Sequence, residues 1–275
     1  MLFDPSPPPS DAGFARWAAE RAGSALLELR EAMGFDDPKA LREAGDLRAH
    51  ELLLDLVRRW RPGDAVLSEE GVRDEAARAE VDRVWIVDPL DGTREFGEPG
   101  RTDWAVHVAL WRRSARGLVA GAVALPARHQ VFSTESPPAN PVPAPRDGTR
   151  PLRLAASRTR PPAWLDGLAD LLGPVELVPM GSAGVKICAV VTGEVDAYVH
   201  AGGQYEWDSA APVAVATATG LHASRIDGSA LEYNRVDPRL PDIVVCHRSL
   251  ASRLLAALAA CLRCPDVPGQ ELRAS

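Results

Sequence analysis

The chain has 275 residues, of which 46% are hydrophobic and 25% charged, with a formal net charge of −7. That length can bury a substantial core, as one large domain or as two lobes. No apolar run approaches the roughly 18–20 residues that a bilayer span needs, and the acidic balance argues against binding of nucleic-acid polymers.

The stretch Met1 to Ser10 is rich in proline, with neither a basic region nor an apolar run, so it reads as a disordered tail rather than a signal peptide. Asp11 is placed to cap a helix running to about Met33, with Phe14, Trp17, Leu26, Leu27 and Leu29 among its apolar positions. A second helix is expected after Asp46, which would be its N-cap, carrying Leu47, Leu52, Leu53, Leu54, Leu56 and Val57. The stretch Asp37 to Gly45 ahead of it reads as a loop. Arg61-Pro62-Gly63-Asp64 is a turn, Ala65 to Ser68 a short strand ending in Glu69-Glu70, and Asp74 to Val81 a helix. Strands follow at Val84 to Asp88, Asp103 to Trp111, Leu118 to Leu125 and Gln130 to Phe132, in which Trp104 and His107 read as packing residues.

Six prolines lie between Ser136 and Pro151, which makes this segment the natural boundary between lobes. Beyond it strands (Leu152 to Ala155, Val175 to Pro179, Val195 to Val199, Ile243 to Cys246) alternate with helices (Pro161 to Leu172, Ala183 to Val191, from near Asp208, from Leu250). That alternation is an α/β layer. The expected division is a tail at 1–12, an α+β lobe at 13–135, the proline-rich loop at 136–151, an α/β lobe at 152–265 and a tail at 266–275. Cys188 and Cys246 read as core residues. Cys261 and Cys264 form a C-x-x-C without the further ligands that zinc requires, so a reduced, cytoplasmic setting is expected.

The most informative stretch is Val84-Trp85-Ile86-Val87-Asp88-Pro89-Leu90-Asp91-Gly92-Thr93. A buried strand ends at an aspartate, and Pro89 then prevents regular pairing because it has no N–H. Two carboxylates and the Leu90 carbonyl come together there, a set of hard oxygen donors suited to Mg²⁺. If a helix starts at Gly92-Thr93, its free N–H groups can hold a phosphate oxygen. Cation and phosphate on one loop point to phosphoryl chemistry. Singly, Leu67-Ser68-Glu69-Glu70, Asp46 and Glu206-Trp207-Asp208 read as surface acids and helix caps.

Taken in order, Leu-Ser-Glu-Glu, Trp-Ile-Val-Asp-Pro-Leu-Asp-Gly-Thr-Arg-Glu-Phe and Trp-Asp-Ser-Ala-Ala-Pro resemble the inositol monophosphatase superfamily of lithium-sensitive, Mg²⁺-dependent phosphatases. Within it, Arg158-Thr159-Arg160-Pro161-Pro162, Gly181-Ser182-Ala183-Gly184, His200-Ala201-Gly202-Gly203-Gln204 and Leu231-Glu232-Tyr233-Asn234 most resemble the 3′-phosphoadenosine 5′-phosphate phosphatases of actinobacterial sulfate assimilation. The resemblance implies an α/β (α+β layered) fold, an αβαβα sandwich in two lobes, and a homodimer acting on a small phosphate ester.

It also implies roles. Glu69, Asp88, the Leu90 carbonyl, Asp91 and Asp208 would hold two or three Mg²⁺ ions, with Li⁺ as inhibitor. Thr93 and Asp46 would orient the attacking water alongside Glu69, and Glu70 would support the site from behind. The N–H groups of Gly92 and Thr93 would hold the phosphate. Lys186 and Ser182 would contact a phosphate that is not cleaved, and His200 a sugar or polyol hydroxyl. The implied substrate is adenosine 3′,5′-bisphosphate, with inositol 1-phosphate and fructose 1,6-bisphosphate as alternatives. A metal-binding regulatory protein without turnover is the alternative of a different class.

Overall fold

A computed structural model describes residues 6–71, 75–141, 150–158 and 165–261. Ser10, rather than Asp11, caps the first helix α1 (Asp11–Met33), accepting the N–H of Gly13 at 3.0 Å. Asp11 is instead the first helical residue, paired with Arg83 at 2.7 Å. The second helix α2 (Pro38–Trp60) begins eight residues before Asp46, which corrects the loop expected at Asp37 to Gly45. Asp37 is its cap, accepting from Lys39 and Ala40, and Pro38 follows at the position where a missing N–H costs nothing. An aspartate followed by proline is the stronger start signal, and Lys39, Ala40, Leu41 and Glu43 propagate it.

Strands β1 (Ala65–Ser68) and β2 (Arg83–Asp91) flank helix α3 (Glu75–Glu80), and the short α4 (Thr93–Phe96) follows β2. Strands β3 (Ala105–Arg112), β4 (Gly117–Leu125) and β5 (Gln130–Ser133) complete a sheet in the order β1-β2-β3-β4-β5. Only β1 and β2 are parallel. In the second half come β6 (Leu152–Ser157), α5 (Leu165–Leu172), β7 (Val175–Met180), α6 (Ala183–Val191), β8 (Ala197–Tyr205), α7 (Glu206–Ala218), β9 (His222–Ser224), β10 (Arg239–Cys246) and α8 (Arg248–Cys261). Their sheet runs β7-β6-β8-β10-β9. Strand β8 extends past its expected end through Gly202 and Gly203, where its ladder with β10 shifts register. The expected start of α5 at Pro161, and Asp74 and Cys264, lie outside the described residues.

The layers follow from which faces are apolar. Phe14, Ala18 and Leu26 of α1 and Leu53 and Val57 of α2 pack on Trp85, Val87, Val106 and Val108, one face of the first sheet. Its other face (Val84, Ile86, Ala109) meets α6 and α7 through Val185, Ile187, Trp207 and Ala211. Those helices also pack on Tyr198 and Val245 of the second sheet. The remaining face of that sheet, with Leu154, Val199 and Val244, is covered by Leu168 of α5 and Leu254 and Leu258 of α8. The result is an αβαβα sandwich. Cys188, Cys246 and Cys261 are buried in it and form no disulfide. No helix among the described residues is long and apolar enough to cross a membrane.

Candidate active site

Strand β2 is buried from Val84 to Asp91, so its two aspartates leave the sheet inside the protein rather than at its surface. Pro89 interrupts pairing as expected: the ladder with β3 matches Asp88 to His107, then shifts before Asp91 meets Ala105. Asp88 turns back to accept the N–H of Leu90 at 3.1 Å. Gly92 follows at φ 90°, a left-handed conformation that favours glycine, and a Cβ there would lie 3.1 Å from the Asp103 carbonyl. Thr93 then opens α4.

The other acids reach this corner from three elements. Strand β1 runs parallel to β2 with Ser68 opposite Val87, which brings Glu69 level with Asp88. Asp46, in the middle of α2 rather than at its start, faces Thr93, whose hydroxyl lies 3.3 Å from Asp46 Oδ1 and 3.0 Å from the Leu90 carbonyl. Asp208 is not the N-cap of α7. Tyr205 is the cap, and Asp208 reaches back from the first turn to accept the Tyr205 N–H at 2.6 Å.

Gathering these carboxylates is electrostatically unfavourable, and their protonation shows it. Burial, then Glu69, Asp91 and Asp208, pushes Asp88 well above the ordinary carboxylate range. Asp208 rises to about 8, from burial and the Asp91 charge. Glu69 rises to about 7, from burial and then Asp91, Glu70 and Asp46. Glu69 keeps a solvent-exposed surface even though protein surrounds its carboxylate, as a group at a cleft mouth does. Burial and Glu70 lift Asp46 to about 6. A divalent cation would offset the mutual repulsion of these acids, and their oxygen donors match what Mg²⁺ takes.

Around Asp91 the structure gathers Ser182 and Gly184 of the Gly181-Ser182-Ala183-Gly184 motif with His107, which no motif signalled. Asp91 Oδ2 accepts the Ser182 hydroxyl at 2.6 Å and the Gly184 N–H at 2.8 Å, and His107 Nε2 stands 3.3 Å away. His107, expected only to pack, is a member of the site. Its position opposite Asp88 follows from strand register, which sequence spacing does not reveal. Ser182 also caps α6, accepting from Val185, while its single O–H donor is taken by Asp91. The turn before it is fastened by Asp103, which accepts the Gly181 N–H at 2.6 Å and pairs with Arg101. Arg158, after β6, ties Glu95 and Glu98 of the first half to the second sheet at 2.9 Å each.

Lys186, one turn into α6, is 7% exposed, which excludes a surface lysine. Its ammonium stands 5.5 Å from the Tyr198 ring centre. Burial lowers its proton affinity, while Asp91, Glu95, Asp208 and Asp103 raise it. His200 lies in β8, with Nε2 against the Gly202 carbonyl and its ring 6.2 Å from that of Tyr198. Glu70 sits next to Glu69, exposed at the same turn.

The chain matches the family model for the inositol monophosphatase family over residues 15–141 and 143–263. It is 55% identical over 242 residues to a 3′-phosphoadenosine 5′-phosphate phosphatase of Mycobacterium bovis, covering 86% of this chain and 89% of that protein. A protein of the same name from Mycobacterium leprae is 52% identical over 259 residues, covering 90% and 93%. Among solved structures, CysQ from Bacteroides thetaiotaomicron, described as a bacterial member of the same family, superposes with a TM-score of 0.74 at 28% identity, covering 86% of this chain and 97% of that one.

Proposed function

The chain belongs to the inositol monophosphatase family, and on that footing we propose that it is a divalent-cation-dependent phosphatase that removes the 3′-phosphate of 3′-phosphoadenosine 5′-phosphate, leaving AMP. The observation that carries the reaction class is the convergence of four acids, Asp88, Asp91, Glu69 and Asp208, in which burial and the neighbouring charges raise the proton affinities of Asp88, Glu69 and Asp208. The substrate rests on the identity of 52–55% to relatives bearing that name.

In this reading Glu69, Asp88, the Leu90 carbonyl, Asp91 and Asp208 would hold two or three Mg²⁺ ions, which when bound would supply positive charge for the phosphate oxygens and for acidifying a water. The chain's own groups do the rest. Thr93 and Asp46 orient the attacking water, and Asp46 titrates near pH 6, suited to taking its proton. The N–H groups of Gly92 and Thr93 fix the phosphate so that water attacks in line with the departing 3′-oxygen. Water's oxygen bonds to phosphorus as the bond to the 3′-oxygen breaks; the attacking water's proton goes to Asp46, and the departing 3′-oxygen takes its proton from solvent water. Glu70 adds negative charge beside Asp46 and Glu69 and so favours cation binding.

Lys186 pairs with the phosphate that stays, as a buried point charge near the acids. Because the Ser182 hydroxyl is engaged by Asp91 and Val185, Ser182 serves this phosphate indirectly, by holding Asp91 and the start of α6. His200, beyond Tyr198, is assigned to a ribose hydroxyl. Inhibition by Li⁺, a homodimer, a cytoplasmic location and a role in sulfate assimilation belong to the same proposal.

Phosphate release with and without Mg²⁺, from adenosine 3′,5′-bisphosphate, inositol 1-phosphate and fructose 1,6-bisphosphate, tests it. Absence of cation-dependent release from all three would refute the enzyme. A tenfold or greater preference in kcat/KM for inositol 1-phosphate would refute the substrate.

A further inference from the structure

His107 touches both Asp91 and the helix carrying Asp208. It lies on β3 with no exposed surface. Nδ1 faces the carbonyl of Trp207 at 3.1 Å, and Nε2 faces Asp91 Oδ2 at 3.3 Å. Trp207 immediately precedes Asp208 and is itself fixed, stacked on Tyr205 with ring centres 4.7 Å apart. The Tyr205 N–H in turn holds Asp208. The ring therefore spans the first sheet and the middle helix layer at the level of the acids.

The surroundings are shaped around this ring. A Cβ on Gly184 would lie 2.0 Å from His107 Nε2, so only glycine allows the ring and the α6 N-terminus to approach Asp91 together. Nε2 is buried and makes no hydrogen bond, and the polar group it faces is the Asp91 carboxylate. With Ser182 and Gly184 donating to Oδ2 and His107 packed beside it, the other oxygen of Asp91 can face a cation.

We propose that His107 is a positioning residue that sets Asp91 relative to Asp208 and thereby builds the cation site these two share. This rests on the reading of Asp91 and Asp208 as cation ligands. Groups that orient metal ligands typically affect affinity by about 10- to 100-fold when removed.

The test exploits the two ends of the ring. Asparagine reaches only as far as Nδ1 and can keep the Trp207 contact, whereas glutamine reaches the Nε2 position and can keep the Asp91 contact. Mg²⁺ binding is measured calorimetrically on substrate-free protein, together with Tm in chelator. His107→Asn should bind Mg²⁺ at least about tenfold more weakly than wild type, and His107→Gln should recover most of that loss. Unchanged binding by His107→Asn overturns the inference, as does a parallel loss of affinity and of chelator Tm in both variants, the pattern of a merely structural residue. Wild-type protein that binds no Mg²⁺ would instead overturn the reading of the site itself, and the inference with it. Should His107→Asn fail to fold, ¹⁵N spectra of the wild-type imidazoles decide: Mg²⁺ must move the His107 Nε2 resonance, and a resonance indifferent to Mg²⁺ overturns the inference.

Discussion

Ser182 donates its hydroxyl to Asp91 at 2.6 Å across 91 positions of sequence, from the cap of a middle-layer helix to the end of β2 in the first sheet. Ser182 holds φ at 50°, a left-handed conformation uncommon for a residue with a side chain. The contact orients a carboxylate and starts a helix with one hydroxyl. Ser182→Ala should therefore lower stability by about 1 kcal/mol through the lost cap. It should also raise the Mg²⁺ concentration for half-maximal activity, while the KM for substrate at saturating Mg²⁺ stays near wild type. A KM rise at saturating Mg²⁺ would instead make Ser182 a direct substrate contact.

Asp91→Asn preserves volume and the ability to accept from Ser182 and Gly184, but removes the charge. kcat/KM should fall by at least about two orders of magnitude, with Tm in chelator unchanged or higher because repulsion within the cluster is relieved. Unfolding of this variant would show that the charge is needed by the fold.

The raised carboxylates set a pH dependence. Asp46, Glu69 and Asp208 titrate near 6, 7 and 8 when folded, above the ordinary carboxylate range of the unfolded chain, and Asp88 lies in the same direction. The folded state thus binds more protons than the unfolded one between about pH 4 and pH 8, so stability falls as pH rises through that window. Cation-free protein should have a lower Tm at pH 8 than at pH 5, and Mg²⁺ should raise Tm more at pH 8. A Tm that climbs with pH in the absence of cations would contradict the cluster's electrostatics.

Lys186→Met keeps the length of a buried side chain and removes its charge. For adenosine 3′,5′-bisphosphate, kcat/KM should drop by about tenfold or more, the scale of one hydrogen bond to a charged group. Hydrolysis of inositol 1-phosphate, which has no second phosphate, should change little. Equal losses on both substrates would remove Lys186 from substrate selection.

Much of this was legible in one dimension. The run from Val84 to Thr93 declares a buried strand, a break and two acids because β-branched residues, Pro89 and Gly92 each restrict the backbone locally. The limits of β1 and α6 were legible for the same reason. Asp46 shows where such reading fails: it resembled a cap, yet the Asp37-Pro38 signal upstream won, and it became a mid-helix side chain facing Thr93.

What only the tertiary structure decided is which side chains meet. The sequence by itself determined the acids at the strand ends, since local backbone chemistry puts them there. Strand register set His107 opposite Asp88, packing of the middle helices buried Lys186, and the close approach of α6 at Gly184 delivered Ser182 to Asp91. These contacts join residues distant in the chain, and the long-range packing that creates them has no spacing to read.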